Sequence, residues 1–181
     1  MKKAGSTEAI IIQLGTELIQ SRGVNGFSFA DIAKAMDIKK ASIHYYFPSK
    51  ADLIARVLED YQQDFEQDLQ DIEENNDSLF QRLVEFTGLY RRDLEEGYLS
   101  LPVMLLAEGQ SLPETIQQSV QKFFQLNIAW LENIFAAQGV PSPKAKDFYA
   151  SIQGLQLLSQ ASKNVDDFDQ LMVDKIITIQ K

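Results

Sequence analysis

The chain has 181 residues, with 26 Asp/Glu against 17 Lys/Arg, no cysteine and a single histidine, His44. That length suits a small module plus one larger core, and the missing cysteines exclude a disulfide, a thiol nucleophile and a zinc-finger site. Charge is uneven: residues 1–50 carry seven Lys/Arg against four Asp/Glu and the rest carries ten against 22, which together make the net −9. Salt screens distant charges over about 10 Å, so the cationic N-terminal part still attracts a polyanion.

The chain opens MKKAGSTEAIIIQLG, two lysines before a short apolar run. Gln13, Glu17 and Gln20 interrupt that run, so it reads as a helix rather than a signal peptide. Ile10, Ile11, Leu14, Leu18 and Ile19 supply its stripe, and Gly23 closes it. Ser28-Phe29-Ala30-Asp31 has capping-box spacing, which makes Ser28 the expected N-cap of a second helix. Ile32, Ala33 and Met36 recur along it, Asp37 fills the turn, and Ile38 fills the space beyond. A short helix follows over about 39–45, with Ile43 and Phe47 facing inward. Pro48 stops it, and Ser49-x-x-Asp52 caps the next. Lys40, Ala41, Ser42, His44 and Tyr45 are then left on the outward face. These are small or hydrogen-bonding groups, as contact with base edges and phosphate requires.

A long fourth helix carries Leu53, Ile54, Val57, Leu58, Tyr61, Phe65 and Leu69. It continues directly from the preceding module, so it is the expected mechanical connector. Residues 73–77 read as a loop, and Leu79, Phe80, Leu83, Phe86, Tyr90 and Leu94 make the next helix. Pro102 and Pro113 suit helix starts. Ile116, Val120, Phe123, Phe124, Leu131 and Ile134 form a further stripe, and the break Val140-Pro141-Ser142-Pro143 precedes two last helices, about 143–162 and 166–180. No alternating strand competes. The expected fold class is all-α.

From Phe27 to Lys50 the pattern F-x-F-x-x-I-A-x-x-x-x-I-x-x-x-x-I-x-Y-Y-F-x-x-K resembles the tetracycline-repressor (TetR) family of transcriptional regulators, and the likeness covers residues 8 to about 58. Three positions depart from the family pattern. Asp37 stands where the turn usually carries Gly, Lys39 where the reading helix usually starts with Ser or Thr, and His44 where Tyr is common. Lys is a poor N-cap. The resemblance implies a three-helix helix-turn-helix DNA-binding domain over residues 1–48. Residues 49–181 would form a helical ligand-binding and dimerisation bundle. It implies a homodimeric, cytoplasmic, ligand-responsive repressor on a palindromic double-stranded operator, with no membrane association and no cofactor. The DNA contacts it points to are Ser28, Lys39, Lys40, Ala41, Ser42, His44, Tyr45, Tyr46 and Lys50, of which Ser28, Tyr46 and Lys50 are expected on phosphate. His44 either titrates near pH 6.5 and strengthens phosphate contact when charged, or serves as a neutral hydrogen-bonding residue in the Tyr position.

For the effector, the family's C-terminal cavity points to Tyr61, Phe65, Phe86, Tyr90, Met104, Phe123, Phe124, Leu126, Asn127, Trp130, Phe148 and Gln153. Ordinary core is the competing reading for aromatics at helical spacing. Asn127, Gln153 and Glu108 are either polar anchors or capping and solvated groups. Tyr98 stands where electrophile-responsive relatives carry cysteine, which leaves a reversibly bound ligand. The last two helices resemble the family's dimer-forming pair, through Phe148, Tyr149, Ile152, Leu155 and Ser159 on one and Phe168, Leu171, Met172, Ile176 and Ile179 on the other; covering the monomer core is the alternative. An enzyme is not expected. One histidine gives no triad or metal cluster, and neither a P-loop nor a dinucleotide glycine fingerprint is present. The rival function is a DNA-binding scaffold controlled by a protein partner.

Overall fold

The computed structural model describes residues 6–179, which form nine α-helices and no strand among the described residues. They are α1 (Thr7–Arg22), α2 (Phe29–Ala35), α3 (Lys40–Tyr46), α4 (Lys50–Asn75), α5 (Leu79–Glu95), α6 (Leu101–Glu108), α7 (Glu114–Ala136), α8 (Pro143–Ser162) and α9 (Val165–Ile179). The chain divides into two compact units. One holds the residues up to Gln63 with Leu101–Gln121, and the other holds Asp64–Ser100 with the residues from Lys122. The division falls inside α4 and inside α7.

In the first unit, local chemistry sets each boundary. The Ser6 hydroxyl accepts from the Ala9 N–H at 3.2 Å and starts α1. Gly23 ends α1 with φ +71°, and a single 3₁₀ turn, Val24–Gly26, follows. Ile11, Ile19 and Ile32 are buried with Leu53 and Val57. A Cβ on Gly15 would sit 3.3 Å from the Leu53 and Val57 side chains, so glycine lets α1 approach α4 closely. Ser28 caps α2 in a reciprocal box with Asp31. At the far end Asp37 adopts φ +53°. Its N–H donates to Lys34 O at 3.3 Å and the Ile38 N–H to Ala33 O at 3.0 Å, the bonds of a Schellman stop. Asp therefore performs the turn expected of Gly, because its short polar side chain tolerates left-handed backbone. Ile43 and Phe47 point inward from α3 and its end, as expected. The Ser49–Asp52 box then starts α4: Ser49 N–H reaches Asp52 Oδ2 at 2.8 Å and Asp52 N–H reaches Ser49 Oγ at 3.2 Å.

In the second unit α5, α8 and α9 pack on one another. Phe65, Phe86, Tyr90, Phe123, Phe135, Phe148, Phe168 and Met172 fill its interior. Arg91 Nε donates to both carboxylate oxygens of Asp169, at 2.7 and 2.8 Å, tying α5 to α9. Two expectations change here. The loop read over 73–77 begins later, since α4 runs through Asn75. The side-chain amides of Asn75 and Asn76 donate to the carbonyls of Asp71 and Ile72 at 2.7 and 3.0 Å, bonding the last turn of the helix back on itself. The stripes read as dimer-forming are mostly interior. Phe148, Tyr149, Ile152 and Ser159 on α8, and Phe168, Met172, Ile176 and Ile179 on α9, are buried within this unit. The apolar side chains these helices leave exposed are Leu157, Leu158, Leu171, Val173 and Ile177.

Candidate nucleic-acid interface and effector core

The exposed face of α3 holds Lys40, Ala41, His44 and Tyr45 on successive turns, with Lys39 just ahead of it and Tyr46 at its edge. Tyr45 is 82% exposed, unusual for an aromatic, and meets Tyr46 edge-on with ring centroids 5.2 Å apart. Ser42 is half-buried. Lys39 precedes the helix without a side-chain cap bond among the described residues. The free N-terminal amides of α3 and the lysine charges therefore lie together at one end of this face.

His44 is oriented from two sides. Its Nδ1 lies 3.2 Å from Pro48 O, and its ring meets Phe29 edge-on with centroids 5.0 Å apart. A carbonyl only accepts, so Nδ1 carries the hydrogen, and Nε2 of the neutral ring is an acceptor. Ser28 is engaged by its own helix: its N–H and hydroxyl both donate to Asp31 Oδ2, at 2.7 and 2.8 Å. The hydroxyl bond and then the backbone bond hold the Asp31 carboxyl below its ordinary range.

Lys50 is also committed. Its ammonium donates to Val24 O and, at 2.5 Å, to Phe27 O, and it lies 4.1 Å from the centre of the Phe27 ring. Desolvation pulls this lysine below its ordinary range, opposed by the charges of Glu108 and Asp31. Glu108 comes from α6. Its Oε1 accepts from Val24 N–H at 3.0 Å and its Oε2 from Asn25 Nδ2 at 2.8 Å. Sequence reading treated Glu108 as an effector anchor or a solvated group, and its grip on the α1–α2 loop was missed. No local signal marks a partner 84 residues away.

Among the residues proposed for the effector, the second unit brings the rings of Phe65, Phe86, Tyr90, Phe123 and Trp130 into one aromatic cluster. Phe65 meets Phe123, Tyr90 and Phe86 with ring centroids at 4.9, 5.7 and 6.4 Å, and Phe86 stacks on Trp130 at 4.9 Å. The Tyr90 hydroxyl donates to Asn127 Oδ1 at 2.8 Å and lies 3.3 Å from the Tyr149 hydroxyl. Asn127 Nδ2 donates to Phe123 O at 2.8 Å, and Gln156 Nε2 to Tyr90 O at 3.0 Å. Gln153 and Trp130 differ. Both amide atoms of Gln153, and Trp130 Nε1, are buried without a hydrogen-bond partner among the described residues. Phe148 packs on Phe135 at 6.1 Å. Tyr61 and Met104 are half-buried and belong to the first unit. Trp130 also borders a cleft of about 410 Å³ lined with Glu66, Leu69, Glu73, Leu126 and Ala129.

Burial pushes the Tyr149 phenol above its ordinary value of 10.0, and its hydrogen bond with Tyr90 opposes this. The raised group contributes its full stability below that value. As pH climbs further the unfolded chain ionises first, and the contribution is lost. The thermal midpoint is therefore expected to fall between about pH 9 and about pH 11. Tyr149→Phe should make that fall smaller, and an identical fall in both proteins would count against the assignment.

This is a compact helix-turn-helix unit with an exposed cationic and aromatic face, joined in sequence to an aromatic-cored helical unit. Residues 11–57 match the family model described as bacterial regulatory proteins, tetR family. A TetR transcriptional regulator from Legionella pneumophila is similar over nearly the whole length, with 31% identity, a TM-score of 0.90, and coverage of 98% of this chain and 99% of that one. Among curated proteins, the biofilm operon icaADBC negative transcriptional regulator IcaR of Staphylococcus epidermidis is 30% identical over 62% of this chain and 60% of its own length. The regulator YuxN of Bacillus subtilis is 31% identical over 74% of this chain and 47% of its own length. The chain thus spans about half to three-fifths of these two curated relatives. It belongs to the TetR family of transcriptional regulators, whose members are DNA-binding factors rather than enzymes. Among the described residues no helix is long and apolar enough to cross a membrane.

Proposed function

We propose that the chain is a ligand-responsive repressor that binds a palindromic DNA operator as a homodimer in the cytoplasm. The observation that carries the DNA half is the α3 face, with Lys40, Ala41, His44 and Tyr45 exposed on a short helix whose other side is anchored by buried Ile43 and Phe47. Residues 1–48, with Lys50 just beyond them, would read DNA, through Lys39, Lys40, Ala41, Ser42, His44 and Tyr45 on the groove and Ser28, Tyr46 and Lys50 on its walls. Residues 49–181 would bind the effector and dimerise. The exposed apolar side chains of α8 and α9 support a second copy as their cover, because a two-fold protein matches a palindromic site. The negative sign follows the likeness to IcaR, named a negative regulator.

Effector response is supported by the unpaired amide of Gln153 and the unpaired indole N–H of Trp130 beside the aromatic cluster, since buried polar groups are costly without partners. An aromatic, uncharged ligand with one donor, for the Gln153 oxygen, and two acceptor positions, for the Gln153 amide nitrogen and the Trp130 indole, would match them. Its binding would displace α4, which carries both Lys50 and Phe65, and change the spacing of the two reading heads from the ~34–36 Å that one face of DNA demands. Linkage requires that such a ligand favour the DNA-free state by the factor with which it weakens DNA binding. In a titration with neutral aromatic compounds, an effector is expected to change Trp130 fluorescence and to release DNA over one concentration range. Phe65→Ala should shift that range more than it shifts ligand-free affinity. An unchanged dose-response with Trp130 still reporting binding would remove α4 as the connector. Control by a protein partner instead predicts that no small molecule releases DNA.

A further inference from the structure

We propose that Glu108 is the residue through which α6 positions the DNA-reading helices, by holding the Val24–Asn25 segment against the Lys50 ammonium. The arrangement lies entirely within the first unit. Val24 is buried and begins the 3₁₀ turn between α1 and α2. Its N–H needs a partner there, and Glu108 Oε1 supplies one at 3.0 Å. The carbonyl of the same residue accepts from Lys50. Lys50 stands two residues after Pro48, which ends α3, and is the first residue of α4. A single residue of main chain therefore joins the carboxylate at the end of α6 to the junction between α3 and α4. Charged partners make both bonds stronger than neutral ones.

The loop is shaped for this carboxylate. Gly23 has φ +71°, and a Cβ there would lie 2.8 Å from Glu108 Oε1. Asn25 adds a second donor to Oε2 at 2.8 Å. A side chain at residue 23 would make the carboxylate shift from this position. α1 also packs on α6, so movement of α6 is felt at the α1 end of the loop as well as at Val24 and Asn25. On this reading α4 is not the sole route to the reading helices. Withdrawing the end of α6 frees Val24, leaves Lys50 held by Phe27 O alone, and loosens the inward tether at the start of α4.

The test uses the full chain and two readouts. Amide exchange is first measured without DNA. Glu108→Ala is expected to speed exchange at Val24 by roughly tenfold relative to the interior amides of α1. Glu108→Gln keeps an acceptor for Val24 and should stay near wild type. Affinity is then measured on DNA that the wild type selects from a random pool. Glu108→Ala should lose roughly tenfold on the selected DNA. Its affinity for random-sequence DNA should be unchanged or higher, because a negative charge has gone, and Glu108→Gln should retain selectivity. A role in general stability alone would not separate the two DNAs. Asn25→Ala, at an exposed position, should give a smaller change of the same sign, and it decides the matter if Glu108→Ala does not fold. The proposal is overturned if Val24 exchange is unchanged in Glu108→Ala or, failing that protein, in Asn25→Ala. Equal selectivity in Glu108→Ala and wild type also overturns it. It rests on the DNA-binding reading, but the two fail separately. A wild type that selects no DNA overturns that reading, whereas Val24 exchange is read without DNA.

Discussion

Lys40→Ala and Tyr45→Ala are each expected to weaken operator binding by about 1–3 kcal/mol, roughly 5- to 150-fold, with the thermal midpoint almost unchanged. Both side chains are exposed on α3, and Tyr45 keeps 82% of its surface open, so neither truncation removes buried packing. The two should differ in kind. Lys40 is a point charge, so its loss should also lower the salt dependence of binding by about one counterion. Tyr45 is neutral and should leave the salt slope alone. Gel-shift titrations at several salt concentrations measure both. Wild-type affinity in both variants would mean that α3 is not the reading helix. Ile43→Ala offers a contrast from the same helix: that side chain is fully buried, so its truncation should cost about 2–5 kcal/mol of stability.

Phe86→Ala is expected to be among the most damaging single changes in the second unit, at about 3–5 kcal/mol. Phe86 is completely buried, and its ring touches those of Phe65, Tyr90 and Trp130. A chain of this size loses roughly 2–4 °C of thermal midpoint per kcal/mol, so the drop should be on the order of 10 °C. Trp130 emission should change as well, because the ring stacked on it at 4.9 Å is gone. Phe80→Ala, on the same helix with a ring 38% exposed, should cost a small fraction of that. Equal losses at the two positions would contradict the burial assigned to them. Scanning calorimetry of the two variants decides it.

The sequence by itself determined the helices and their ends. Caps, stops and turns are interactions among residues three to five apart, so Ser28 with Asp31, Ser49 with Asp52, and Asp37 in its turn were legible without a fold. The outward face of α3 was legible for the same reason: with Ile43 and Phe47 inward, helical geometry leaves Lys40, Ala41, His44 and Tyr45 on the other side, although Ser42 proved half-buried. Periodicity also revealed that α8 and α9 each bury a stripe, but a stripe does not say what covers it. Only tertiary packing decided that Phe148, Ile152, Phe168 and Met172 face their own unit, leaving Leu157, Leu158 and Leu171 for another surface. The same holds for charge. From sequence Glu108 reads as an effector anchor or a solvated group and Lys50 as a phosphate contact, because nothing nearby in sequence marks a main-chain partner for either. Folding brought Glu108 and Lys50 to the two sides of Val24, where burial made their hydrogen bonds to the main chain worth more than hydration.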